Sequence, residues 1–410
     1  MNPTTSFSKT ALVSVFLSFI ACGLADQTFF NFGDSYTSTA FSIHSTLPSS
    51  NNPFGNPSFD SSYATNGINW LKYLGADFNS SSYIFYNLAV AGATIDNNVT
   101  YVREKYDSFV LQVSNTFLPY LAPGRVGAEN SNTQYVSWDP DSTTATIWFG
   151  INDVLTTYQS HPTSASRVSL YASMMVSYWS AVETLYASGL RRFVIMTVPA
   201  LDRKPNLTAA QRAVAKAAIE EYNLLLTSHA RRFASNHAGD GVALAVVDMY
   251  PVLDYVVSNY KTLGFDVQDE YCQAYISGVP FADTWYTACP YPASKYVFIN
   301  SVHVTSGVHK LFAEYVAVQL EAALGLPVGG TNDEQAQASA FAADVSSSAS
   351  VSATASTATT TVTAVAMYVE QEVEEDSASE TTTSITAAAT TALDVAELVK
   401  PYGLIRVGES

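Results

Sequence analysis

Basic charge, cysteine and long apolar runs are all scarce in this chain. Nineteen Lys and Arg stand against 36 Asp and Glu, for a formal net charge of −17. Such an excess repels phosphate backbones and anionic lipid, which excludes nucleic-acid binding and electrostatic docking on membranes. There are three cysteines and six histidines, and no His/Cys/Asp cluster is spaced to hold a metal, so no metal or cofactor is expected. Beyond the first 25 residues no stretch is long and apolar enough to span a bilayer. What remains is 48% apolar over 410 residues, enough chain for one or two domains with a sizeable core.

The charge and the composition divide the chain. Residues 1–25 read as a secretory signal: Lys9, an apolar run from Ala11 to Ala21, then Gly23 and Ala25 at the −3 and −1 positions of a cut before Asp26. A secreted, extracellular protein is expected. Cys22 leaves with the signal, and the remaining pair, Cys272 and Cys289, is expected to form a disulfide in an oxidising compartment. Asn79, Asn98 and Asn206 head N-x-S/T sequons. Residues 327–410 are read as a disordered tail. From Val345 to Ala366, 18 of 22 residues are Ser, Thr or Ala, and an acidic cluster follows at Glu370–Asp376.

Between these ends, residues 26–326 alternate short apolar runs with longer helical patterns. The runs are Thr28–Phe32, Tyr83–Leu88, Ala145–Phe149, Arg192–Val198 and Val242–Val247, each apolar enough for a parallel strand buried on both faces. Val168, Tyr171, Met175, Tyr178, Val182 and Leu185 repeat at helical spacing, and Ala209–Phe233 and Val308–Leu324 are further helices. The alternation predicts an α/β domain with a doubly wound parallel sheet, whose site lies beyond the carboxyl ends of the strands.

Four short segments at those ends could carry chemistry. Gly33-Asp34-Ser35 follows strand one, Gly92 follows strand two, Gly150-Ile151-Asn152-Asp153 follows strand three, and His303 opens the last helical segment. Taken alone, each reads more simply as a turn, a cap or a surface residue. Together, in that order, they resemble the GDSL or SGNH hydrolase superfamily over about residues 27–325. Asn66-Gly67, Trp70, Asn87–Ala93 and the segment Val198–Pro205 resemble its fungal secreted branch, carbohydrate esterase family 16, which contains acetylesterases.

The resemblance implies a three-layer α/β/α sandwich, flavodoxin-like, with a five-stranded parallel sheet. It implies Ser35 as nucleophile, His303 as general base, and the N–H groups of Ser35 and Gly92 with the Asn152 amide as oxyanion hole. The family's acid position, three residues before the histidine, is here Asn300, a neutral group that leaves either a Ser–His dyad or a feeble enzyme. The expected substrate is an acetylated oligosaccharide or a small ester, handled by a monomer. A general carboxylesterase or lysophospholipase and a glycan-binding relative are the alternatives. Asp34 and Asp153 are read as supporting residues, Asp202 with Arg203 as an ion pair or loop anchor, and His309 as a packing residue. Tyr36, Phe41, Phe54, Phe59 and Tyr63 could stack on a sugar or fill the core.

Overall fold

The computed structural model describes residues 26–58, 64–79, 83–100, 106–124, 136–276 and 285–355. The signal segment, most of the Ser/Thr/Ala-rich tail, Phe59 and Tyr63 lie outside the described residues. Five strands, β1 (Gln27–Gly33), β2 (Tyr83–Asn87), β3 (Thr143–Trp148), β4 (Arg192–Met196) and β5 (Ala243–Val247), form one parallel sheet in the order β2-β1-β3-β4-β5. That is the flavodoxin-like order, and the winding reverses between β1 and β3. All five strands expected from the sequence are present, each with its ends within two residues. Their burial explains their composition: Phe29, Phe30, Phe32, Ala145, Ile147 and Phe193 are wholly buried.

Among the described residues seven helices flank the sheet: α1 (Trp70–Asp77), α2 (Ile151–Thr157), α3 (Ser164–Ala187), α4 (Ala209–Asn236), α5 (Tyr250–Ser258), α6 (Ser306–Leu324) and α7 (Asn332–Ala355). An irregular helical segment, 109–120, contains a π turn over Gln112–Phe117. It packs on α3, which packs on α4, while α1 and α6 pair elsewhere and α7 lies on α5 and α6. The helices start where the sequence caps them. The Thr163 side chain accepts the Ser166 N–H, Thr208 and Gln211 form a capping box, and α6 stops at Gly325 in a left-handed conformation.

Helix α7 corrects the expected domain boundary at residue 326. Ala338, Phe341, Ala342 and Val345 are buried on one side of it, at i, i+3, i+4 and i+7. Phe341 meets Tyr255 edge to face at 5.8 Å, and the Tyr255 hydroxyl donates to Asp344. Low aliphatic content suggested a tail, but alanine is the best helix former, and one Phe and one Val are enough to seat the helix. The start is capped reciprocally by Thr331 and Glu334.

A buried ion pair joins the long helices α3 and α4. Arg167 of α3 donates Nε and Nη2 to the two carboxylate oxygens of Glu221 of α4, at 2.6 and 2.8 Å, with both side chains almost wholly buried. Its remaining contacts, to the carbonyls of His161 and Pro162, tie down the turn before α3. Removing one partner would strand the other charge in the core. Glu221→Ala is therefore expected to lower stability by about 3–5 kcal/mol, read as an earlier urea midpoint at unchanged slope. A loss below about 1 kcal/mol would show that water or another group reaches Arg167.

Candidate active site

The strand ends dictate where the four segments go. After β1 the chain turns at once: the Asp34 carbonyl accepts the N–H groups of Thr37 and Ser38. This turn is clamped from three directions. The Asn69 amide donates to the carbonyls of Thr37 and Ser38, the Trp70 indole to the Thr37 hydroxyl, and the Asn87 amide to the Thr37 carbonyl and the Thr39 hydroxyl. Gln112 brackets Gly33, accepting its N–H and donating to its carbonyl. Ser35 is thus held on a rigid corner with 9% of its surface exposed.

His303 arrives from the other end of the chain. Phe298 and Val304 form an antiparallel bridge, and the Ile299 N–H donates to the His303 carbonyl, so residues 299–303 make a tight loop. The loop precedes α6, whose first N–H, from Ser306, is accepted by Asn66. His303 therefore sits three residues before the helix it was expected to open. The Tyr36 hydroxyl donates to the Val302 carbonyl at 2.7 Å and pins the loop to the residue after Ser35. The outcome is a contact of 2.7 Å between His303 Nε2 and Ser35 Oγ.

Asn300 holds the far side of the imidazole. Its Oδ1 accepts the N–H groups of Val302 and His303 at 2.9 and 2.8 Å, which fixes the amide's orientation, because the opposite one would set NH₂ against two donors. His303 Nδ1 then lies 3.0 Å from Asn300 Nδ2 and 3.2 Å from Oδ1. Two neutral tautomers are served. If NH₂ donates to Nδ1, the ring proton is on Nε2 and Ser35 can only accept. If Nδ1–H donates to Oδ1, Nε2 is bare and can take the serine proton.

The residues expected as oxyanion donors follow β1, β2 and β3. Gly92 is left-handed (φ +82°), and a side chain there would strike the ring of Tyr106. Among the described residues no acceptor takes the N–H of Ser35 or of Gly92. Gly150, also left-handed (φ +110°), lies against the Tyr222 ring and starts α2, which carries Asn152. The Asn152 amide donates to the Ala93 carbonyl at 2.8 Å and approaches Asp34 Oδ2 at 3.3 Å, beside Gly92 and Ser35 respectively. To meet an oxyanion it must give up the longer of these two bonds.

Burial sets the electrostatics. It pushes the Asp34 carboxyl up to about 7 and that of Asp153 up to about 6. Asp34 accepts the Tyr36 N–H, and Asp153 accepts from Thr100 and Ile95, so both support the site. Burial also lowers His303 to about 4 and His309 to about 3. His309 packs edge-on against Tyr36 and Phe312, as a packing residue would. Tyr36 and Phe54 are buried core residues and cannot stack on a ligand. Arg203 pairs with Asp254, not with Asp202, because the short helical turn Leu201–Arg203 points neighbouring side chains apart.

Cys272 and Cys289 are bonded, with Cα atoms 5.8 Å apart. Asn98 and Asn206 are exposed, whereas the threonines of their sequons have structural roles, Thr100 on Asp153 and Thr208 as a cap. Among the described residues no three His, Cys, Asp or Glu side chains could together hold a metal, and no helix is long and apolar enough to cross a membrane. The contacts of Gln112, Asn69 and Asn87 were not foreseen. Asn66-Gly67, Trp70 and Asn87 stood in the segments that carried the family resemblance, but Gln112 had no such marker.

The model of the GDSL-like lipase/acylhydrolase family matches residues 29–316. The chain belongs to that family. It is a carboxylic ester hydrolase. An acetylesterase of Thermothelomyces thermophilus is 32% identical over 233 residues, 56% of this chain and 72% of that protein. An acetylesterase of Hypocrea jecorina is 26% identical over 42% of this chain and 47% of its own length, and a GDSL esterase/lipase of Arabidopsis thaliana is 26% identical over 43% and 52%. The chain thus spans only about half of the latter two. A G-D-S-L lipolytic protein from Veillonella parvula covers 73% of this chain and 99% of itself at 14% identity and a TM-score of 0.38, too distant to bear on function.

The low His303 value fixes one consequence. Only the neutral ring can accept a proton, and here it stays neutral down to about pH 4 instead of 6.5. The acid limb of kcat/KM should therefore fall near pH 4, measured on a neutral ester between pH 3 and 8. A limb between pH 6 and 7 would mean that a negative group supports the ring.

Proposed function

We propose that this esterase removes short acyl groups, acetyl above all, from sugar hydroxyls of plant cell-wall oligosaccharides outside the cell, through an acyl-enzyme on Ser35. The observation that carries the reading is the 2.7 Å contact between Ser35 Oγ and His303 Nε2. The acetyl preference leans on the names of the two fungal relatives, and secretion on the N-terminal signal.

The reaction runs in two halves. Ser35 Oγ attacks the ester carbonyl as its proton passes to His303 Nε2. The tetrahedral oxyanion meets the N–H groups of Ser35 and Gly92 and the Asn152 amide, each such donor typically contributing on the order of 10²–10³ in rate. Collapse expels the sugar alcohol, which takes the proton from the imidazolium. A water then gives a proton to His303 and attacks the acyl-enzyme. Acetic acid leaves as the imidazolium returns its proton to Ser35 Oγ.

Asn300 is the weak member. In this mechanism Nδ1–H must rest on Asn300 Oδ1, the 3.2 Å partner, while the 3.0 Å amide nitrogen favours the idle tautomer. In serine proteases the corresponding Asp-to-Asn change lowers kcat about 10⁴-fold.

Two substitutions test the scheme. Ser35→Ala should cut hydrolysis of 4-nitrophenyl acetate by about 10³-fold or more, and unchanged turnover would remove Ser35 from the chemistry. Asn300→Asp should raise kcat about tenfold or more and move the acid limb upward, since a carboxylate favours the imidazolium. If wild type is already fast and the variant gains nothing, another group orients His303. Comparing acetate, butyrate and octanoate esters checks the acyl preference, with acetate expected to lead.

A further inference from the structure

The proposed chemistry gives no step to the carboxylate of Asp153. It is wholly buried on the first turn of α2, one residue after Asn152, and among the described residues no basic side chain pairs with it. A carboxylate in such a place needs hydrogen-bond donors to replace its water. The loop after β2 supplies them. The Thr100 hydroxyl donates to Asp153 Oδ1 at 2.7 Å, and the Ile95 N–H is shared between Oδ1 and Oδ2 at 3.2 and 3.3 Å. Asn152 takes the same loop two residues earlier, its amide donating to the Ala93 carbonyl at 2.8 Å. Two consecutive residues of α2 thus hold Ala93, Ile95 and Thr100, and the segment they hold follows directly on Gly92.

Other contacts fix this loop to the body of the protein. The N–H groups of Phe109 and Val110 donate to the carbonyls of Thr94 and Ile95 at 2.9 and 3.2 Å, and the Ser177 hydroxyl of α3 donates to Asp96 Oδ2 at 2.7 Å. The Asn97 amide donates to the carbonyl of Tyr106, whose ring is the one a side chain at Gly92 would strike. The bonds to α2 do something different: they set the loop relative to Asn152. Gly92 and Asn152 belong to separate segments, and two donors that serve one oxygen must keep their spacing to within about 0.5 Å.

Size alone would not do this work. Asp153 accepts on both oxygens, so an amide of the same shape that turned its oxygen to Thr100 would set its NH₂ against the Ile95 N–H. We propose that Asp153 is a positioning residue for the esterase reaction, which through Thr100 and Ile95 fixes the Gly92 loop against Asn152 at the spacing an oxyanion requires. The proposal rests on the Ser35 acyl-enzyme reading, with Gly92 and Asn152 as donors.

The test is steady-state hydrolysis of 4-nitrophenyl acetate by the full chain, with rates taken per folded molecule from near-ultraviolet circular dichroism. Asp153→Asn is expected to lower kcat about 10–100-fold and to leave KM within about two-fold. KM holds because an oxyanion forms in both halves of the reaction, so both slow together. Thr100→Val, which removes the hydroxyl, should lower kcat about tenfold, and Thr100→Ser, which restores it, should recover most of the loss. Thr100 also completes the sequon of Asn98, so Asn98→Gln, expected to match wild type, separates loss of a glycan from loss of the bond.

An unchanged kcat with only a lower thermal midpoint would make Asp153 a structural residue and overturn the proposal. A raised KM at unchanged kcat would do the same, by moving its role to substrate binding. If Asp153→Asn fails to fold, the contrast between Thr100→Val and Thr100→Ser decides alone. A fully active Ser35→Ala would instead sink the acyl-enzyme reading, whereas an inactive Ser35→Ala beside a fully active Asp153→Asn would sink only the positioning role.

Discussion

A hydrogen bond between residues 268 positions apart governs this molecule. Neither Ser35 nor His303 is near the other along the chain, and each is held by a corner that the sheet creates. β1 lies between β2 and β3 with Gly33 level with Trp148, so the turn after β1 opens at the place where the winding reverses. His303 comes from the segment between α5 and α6, after the last strand, and the Tyr36 hydroxyl on the Val302 carbonyl bolts the two corners together. Loosening either corner by an ångström would break a bond that needs about 2.6–3.2 Å to pass a proton.

Much of this was legible in the sequence, for reasons that can be named. Strands buried on both faces must be almost continuously apolar, so their number and their places along the chain showed through their composition. Ser35, Gly92 and Asn152 became candidates because they stand in or beside glycine motifs at predicted strand ends, in the order that resembles the family. Helix α7 was hidden because a Ser/Ala-rich helix and a Ser/Ala-rich tail share a composition. Only the spacing of Ala338, Phe341, Ala342 and Val345 separates them. Arg203 found Asp254 rather than its neighbour because adjacency in sequence is a poor guide to contact on a turn.

The clamp on the nucleophile turn was illegible for a different reason. Asn69, Asn87 and Gln112 act through carbonyls and N–H groups of other segments, and such partners leave no local pattern. Buried amides of this type must be satisfied or they destabilise the fold, so the clamp has a cost if any part fails. It also concentrates rigidity where it serves function. The same asparagines that cap or terminate an element fix the position of Ser35, which couples folding of α1 and β2 to assembly of the site.

The crevice carries little permanent charge, and that shapes how it can work. His303 is neutral down to about pH 4, Asn300 is an amide, and burial raises Asp34 to about 7. An ionised carboxylate 4 Å from the imidazolium would supply about 4 kcal/mol at an effective dielectric of 20. The 10⁴-fold effect of losing such a carboxylate in serine proteases corresponds to about 5.5 kcal/mol, the same order. Here that help is missing and burial opposes the imidazolium as well. In the proposed mechanism each oxyanion donor would offer about 2.7–4 kcal/mol, the same order as the missing carboxylate. On that reading the left-handed turn at Gly92 and the start of α2 at Gly150 position these donors beside the serine–histidine pair. In return, the neutral ring keeps its lone pair in acid, where a carboxylate-backed histidine is already protonated.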